Sequence, residues 1–290
     1  MLYDVSNDFL KATVNDEGAE LWSLLDIQND REMIWQGDRT IWPRRSPILF
    51  PWCGSILNGN FEHDGHHFTA GIHGFARDCQ HRLVSQTTDC LVFELTSSSQ
   101  TYAKFPFEFV LRSTYCLVGA SLTCKLEAFN TGNQTMPAAL GFHTGLALPL
   151  DSGHAKARWL LEFEPNEGFV LLQANDKGLL TGEQTFWPEA RSGLHLTDEP
   201  IRTSLILSLP ESEGRVTVSQ PDSSNRVIVS YTHADRLVLW STGFPARYLC
   251  IEPWNGQPDS EDAPHSILDK TNLKHISPGK SLELTQTLSI

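Results

Sequence analysis

SLTCKLEA, residues 121–128, decides the fold class: Leu122, Cys124, Leu126 and Ala128 face one way, and Thr123, Lys125 and Glu127 face the other. A period of two is that of a β-strand with one buried face and one wet face. Immediately before it, FEFVLRSTYCLV (107–118) alternates Phe107, Phe109 and Leu111, and the intervening Gly119 and Ala120 predict a hairpin. Further β-rich runs follow outward at 9–14, 20–27, 81–87, 90–96, 203–209, 215–219, 226–231, 236–241, 247–252 and 281–288. No stretch carries helical periodicity over three turns with caps. Many short strands separated by Gly, Pro, Asn and Asp predict antiparallel sheets packed face to face, an all-β large sandwich rather than a parallel α/β fold. No Gly/Ser-rich linker, internal repeat or charge block interrupts the run of strand signals to Leu288, so residues 1–290 are expected to form a single domain.

A chain of 290 residues, 40% hydrophobic and 20% charged, can bury one large core. It has no apolar run near the ~20 residues of a membrane helix. The opening MLYDVSNDFL lacks the basic start, apolar stretch and cleavage site of a secretory signal, which predicts a cytoplasmic protein. A net charge of −13 speaks against nucleic acid or anionic lipid as partners, since phosphate binding needs a concentrated basic surface. The six cysteines show no CxxC or Cys/His ligand spacing, and several alternate with apolar residues, so reduced core thiols are expected.

Four polar or aromatic segments break the sandwich pattern. In WPRRSPILFPWCG (42–54), Arg44 and Arg45 sit among tryptophans and prolines, where a guanidinium can be held near a ligand oxygen or, equally, lie solvated on a crossover. In GIHGFARD (71–78), glycines flank His73 and Arg77 follows four residues later, a spacing that lets both reach one pocket; a structural histidine is the alternative. In MPAALGFHTGLALPL (136–150), His143 lies between Gly141 and Gly145 in apolar surroundings, as a tuned acid or a core histidine bonded to a carbonyl. In ARYLCIEPWNG (246–256), Glu252 ends an apolar strand, and carboxylates are rarely buried unless paired or functional. Trp254 beside it is either a stacking platform for a sugar ring or a core anchor.

Together GAEL with its following SLL, W-x-R-x-SPILFP-x-x-G, HGFARD, the G-x-H around His143 and CIEPWNG resemble the aldose 1-epimerase (galactose mutarotase-like) superfamily over nearly the whole chain. The resemblance is strongest to the branch holding the LacX-like proteins and the hexose-6-phosphate epimerases. It implies an antiparallel β-supersandwich and an isomerase of carbohydrate metabolism needing no metal or nucleotide cofactor. It further implies His143 as general acid, Glu252 as general base, and His73 and Arg77 as substrate-binding residues. The binding arginine of the first motif aligns with Arg44, with Arg45 adjacent. An acidic ligand to sugar hydroxyls is implied between the two catalytic positions, where Asp198 and Asp222 are the candidates. The segment GFHTGLALPL departs from the family by lacking an aromatic after His143, so the pocket is expected to differ in shape.

Opening a cyclic hemiacetal removes a proton from the C1 hydroxyl and delivers one to the ring oxygen, so one base and one acid suffice. The expected partner is a small sugar, either a free hexose or a sugar phosphate clamped by Arg44, Arg45 and Arg77. A carbohydrate-binding protein that keeps the pocket without turnover is the non-enzymatic alternative. The sequence leaves the sugar and the oligomeric state open.

Overall fold

The structure, a computed structural model, describes residues 1–148, 159–196, 204–220, 226–242 and 247–290. The predicted hairpin is present: Phe109–Val118 pairs antiparallel with Ser121–Asn130, from Val118 opposite Ser121 to Phe109 opposite Asn130, around Gly119 and Ala120. Leu122, Cys124, Leu126 and Ala128 are buried, as the alternation requires. On the wet face the Lys125 ammonium bridges Glu127 at 3.0 Å and Glu283 at 2.8 Å. Burying each leucine of this kind contributes about 1.5–3 kcal/mol, whereas exposed ion pairs contribute about 1 kcal/mol or less. The apolar face therefore sets the register.

This hairpin lies within a nine-stranded sheet of the described residues. Its spatial order is Leu194–Leu196, Trp159–Glu164, Glu213–Ser219, Arg226–Thr232, Ser281–Ser289, Ser121–Asn130, Phe109–Val118, Cys90–Thr96 and Arg82–Gln86. A second sheet runs Leu180–Phe186, Val170–Ala174, Leu205–Ser208, Arg236–Trp240, Tyr248–Trp254, Gly141–Phe142 and Ile48–Leu49, with Thr144–Ala147 also on Tyr248–Trp254. Every pairing in both is antiparallel. A smaller four-stranded sheet uses Leu2–Ser6, Leu10–Asn15, Glu20–Asp26 and Arg31–Glu32. One continuous apolar cluster runs from Val5 to Leu288. The all-β antiparallel class is the expected one, and among the described residues no helix is long and apolar enough to cross a membrane.

Two expectations are corrected. Cys90 and Cys116 form a disulfide; only Cys53, Cys79, Cys124 and Cys250 are free, and of these Cys79 is half-buried. The reason is register: Cys90 and Cys116 lie directly opposite each other on adjacent strands, with Cα atoms 4.1 Å apart, on the half-buried side of the alternation. The strands Trp159–Glu164, Val170–Ala174 and Leu180–Phe186 lie outside the predicted runs. Leu180–Phe186 is an edge strand exposed at every position after Leu180, so it carries no apolar alternation to read.

Candidate active site

Tyr248–Trp254 runs through the middle of the second sheet and is buried along its whole length. Alternation puts Tyr248, Cys250, Glu252 and Trp254 on one face. The partner chain pairs with it in two pieces, Gly141 opposite Trp254 and Thr144 opposite Ile251. That register, carried through the interruption, sets His143 across from Glu252. At the break the His143 amide leaves the ladder and donates to the Pro47 carbonyl at 3.0 Å. The imidazole Nε2 then lies 3.4 Å from Glu252 Oε2, with Glu252 1% and His143 7% exposed.

Burial acts on both groups in the same sense, against charge. It lowers His143 to about 3, an effect reinforced by the positive charges of Arg77 and Arg44. It raises Glu252 well above the carboxylate range, offset in part by the nearby Trp254 indole N–H. A carboxylic acid beside a neutral imidazole holds the same single proton as a carboxylate beside an imidazolium. The two forms differ by one transfer across the pair. His143 Nδ1 and Glu252 Oε2 are buried without a hydrogen-bond partner among the described residues. Unmet capacity of this kind costs about 1–3 kcal/mol per group and leaves both atoms free to bond a ligand or a water.

His73 stands at the rim. Its Nδ1 accepts from the Gly54 amide at 3.0 Å, which leaves the proton on Nε2 as a donor. Its ring meets those of His143 and Trp254 edge-on, with centroids 5.4 and 5.5 Å away. Burial holds His73 well below the usual histidine range, so it stays neutral. The next residue, Gly74, has φ +70° and places its α-carbon so near Phe50 that a Cβ would lie 2.1 Å from the Phe50 carbonyl oxygen. Only glycine lets the HGFARD turn seat against that strand.

The two adjacent arginines diverge. Arg44 donates to the Arg77 carbonyl at 3.3 Å and pairs with Asp78. Arg45 turns the other way, across the Trp22 ring at 4.0 Å, bonded to the Trp22 carbonyl at 2.8 Å and to Gln36. Arg44, not Arg45, joins Arg77 on the His143 side, where both depress the two histidines. The Glu20 carboxylate of the GAEL stretch fixes this divergence by accepting the Arg45 and Ser46 amides at 2.7 and 2.9 Å. Ser46 continues the link through Thr144 at 3.0 Å to Gln286, tying the arginine segment to the strand that carries His143.

Trp254 is buried at 3% exposure, with its indole N–H donating to the Phe142 carbonyl at 3.2 Å. The half-buried rings over His143 are Trp42, stacked at 5.1 Å, and Trp240, edge-on at 5.5 Å. Trp42 fits there because a Cβ on Gly145 would come within 2.8 Å of its ring. The aromatic wall absent from the sequence after His143 is thus supplied by other strands. Trp42, Trp240, Tyr248, Cys250 and Glu20 were not among the expected site residues. For Tyr248 and Cys250 the signal was available, since the 247–252 alternation places them on the Glu252 face. Asp198 and Asp222, the candidate acidic ligands, lie outside the described residues. Among the described residues, His143, Cys250 and Glu252 bring ligand atoms within 4.8 Å of one another.

The chain is similar to known proteins over nearly its whole length. Protein LacX (chromosomal) of Lactococcus lactis subsp. lactis is 26% identical over 287 residues, 96% of this chain and 95% of that protein. A galactose mutarotase related enzyme from Lactobacillus acidophilus superposes with a TM-score of 0.93 at 28% identity, covering 100% of this chain and 97% of the other. A galactose mutarotase-like protein from Lactobacillus casei gives 0.90 at 27% identity, covering 100% and 99%. The aldose 1-epimerase family model matches residues 1–289, and the chain belongs to that family.

Proposed function

We propose that the protein is an aldose 1-epimerase interconverting the α and β anomers of a free hexose, with Glu252 as base and His143 as acid. The observation that carries this reading is the cross-strand pair itself: two buried proton-transfer groups 3.4 Å apart whose hydrogen-bonding capacity is unmet. Moving the shared proton from Glu252 to His143 prepares the reactive form. Glu252 takes the C1 hydroxyl proton, the bond between C1 and the ring oxygen breaks, and His143 protonates that oxygen as the carbonyl forms. Rotation about C1–C2 presents the other carbonyl face. Closure reverses both transfers and returns the pair to its starting state.

His73 Nε2–H and the guanidiniums of Arg44 and Arg77 are assigned to sugar oxygens, and Trp254 to the wall behind His73. The arrangement of the arginines favours a neutral sugar. Arg45 lies on Trp22, away from Arg44 and Arg77, which speaks against a clamp of all three around a phosphate. Saturation-transfer NMR on glucose and galactose tests the activity; exchange no faster than the buffer blank, with sugar-dependent thermal stabilisation, means a binding protein instead. Stabilisation confined to glucose 6-phosphate transfers the assignment to the phosphorylated hexose.

A further inference from the structure

We propose that His143, Cys250 and Glu252 form an inhibitory site for a thiophilic divalent cation of the zinc type. The inhibition rests on the epimerase reading; the binding does not. Cys250 and Glu252 project from one face of one strand, and His143 stands across from Glu252. Cys250 lies opposite Gly145 and is fully buried in a cluster with Trp35 and Tyr248, against which Trp42 and Trp240 pack. Ligands about 2.0–2.1 Å from zinc are about 3.3 Å apart at tetrahedral angles. The 3.4 Å between His143 Nε2 and Glu252 Oε2 already matches that edge. The sulfur lies within 4.8 Å of both and closes on the ion to form a bond of about 2.3 Å.

The charges also fit. A thiolate and a carboxylate neutralise a 2+ ion, so the filled site carries no net charge into a buried region where either anion alone is costly. Glu252 Oε2, orphaned in the protein, gains a partner. Sulfur and imidazole ligands select zinc over magnesium or calcium, and the fourth position faces the proposed substrate side and takes a water or a sugar hydroxyl. Binding releases the Cys250 thiol proton, and the Glu252 proton where it is held there, to buffer. It also occupies both proton-transfer groups, so exchange stops without any change of fold.

Cobalt(II) titrated into the purified full chain is expected to give a near-ultraviolet thiolate charge-transfer band saturating at one equivalent and removed by zinc. Cys250→Ser and Cys250→Ala abolish the band, while Cys79→Ser keeps it. Zinc lowers anomer exchange to the buffer rate, and EDTA restores it. No thiolate band, or one that survives loss of Cys250, overturns the site. Should the Cys250 variants fail to fold, the near-isosteric Glu252→Gln decides: chelator competition should show zinc binding weakened by ~100-fold, at or beyond the 10–100-fold lost with an outer-shell partner. Unchanged zinc affinity in that variant also overturns it. A band without detectable exchange in the zinc-free protein keeps the metal site and removes only the epimerase reading.

Discussion

Lys270 with Asp259, and His143 with Glu252, are both buried pairs of titratable groups, and they are built in opposite ways. Lys270 lies 2.6 Å from Asp259 with both side chains at 0% exposure. A second ammonium N–H donates to the Pro264 carbonyl at 2.7 Å. Asp259 in turn accepts from the Leu57 amide at 2.8 Å and the Asn272 amide at 3.0 Å. This pair pins the chain after PWNG onto the 3₁₀ turn Leu57–Gly59, and both of its members are held by protein partners. The His143–Glu252 pair is also buried, yet it keeps Nδ1 and Oε2 unpartnered among the described residues. Burial alone therefore does not set the two pairs apart; the satisfied bonds of one and the unspent hydrogen-bonding capacity of the other do.

The sharpest break of this contrast is Glu252→Gln. Anomer exchange followed by saturation-transfer NMR should fall by about 10²–10⁴-fold, the range of one positioned acid or base, while thermal stability stays level or rises because a buried acid is replaced by an amide. Full activity in that variant rules out Glu252 as the base. The mirror experiment, Lys270→Met, leaves Asp259 with its charge unbalanced and should cost about 3–5 kcal/mol in urea unfolding. Activity per folded molecule should be unchanged, and a selective loss of turnover would place Lys270 in the site.

His81 lies between the two cases. Its Nε2 donates to the Ala76 carbonyl at 3.0 Å, while Nδ1 is unpartnered. Burial lowers His81 to about 4, against that hydrogen bond. Between pH ~6.5 and ~4 the unfolded chain binds the proton and the folded one does not, so stability is full above this window and falls with pH inside it, by up to about 3 kcal/mol. His81→Gln, which keeps the bond to Ala76, should flatten the fall of melting temperature in that window. His73 and His143, lowered in the same direction, supply the remaining slope. An unchanged profile in the variant would show that His81 titrates normally. The smallest effect is expected at Trp42, whose stack on His143 is worth about 0.5–1.5 kcal/mol; Trp42→Leu should slow exchange by roughly three- to tenfold and leave the fold intact. A loss as large as that of Glu252→Gln would give Trp42 a direct role.

Much of the scaffold was legible in advance. The alternation in 107–118 and 121–128 is a local property of the chain, and the hairpin follows it residue for residue. Glu252 was singled out because an acid at the end of an apolar strand is costly wherever the strand lands. The strand Leu180–Phe186 escaped because an exposed edge needs no apolar pattern. The resemblance aligned the motif arginine with Arg44 and left Arg45 beside it, and the Glu20 carboxylate, bonded to the Arg45 and Ser46 amides, holds the chain so that the two part.

By itself, then, the sequence determined the strand period and the all-β class and singled out Glu252, because each depends on neighbours a few residues away. Tertiary structure alone decided that Cys90 meets Cys116 and that His143 faces Glu252. It also decided that Trp42 and Trp240 stand over His143. Those contacts join residues from different strands, and register across a sheet is set by the summed burial of many side chains, which no local pattern encodes.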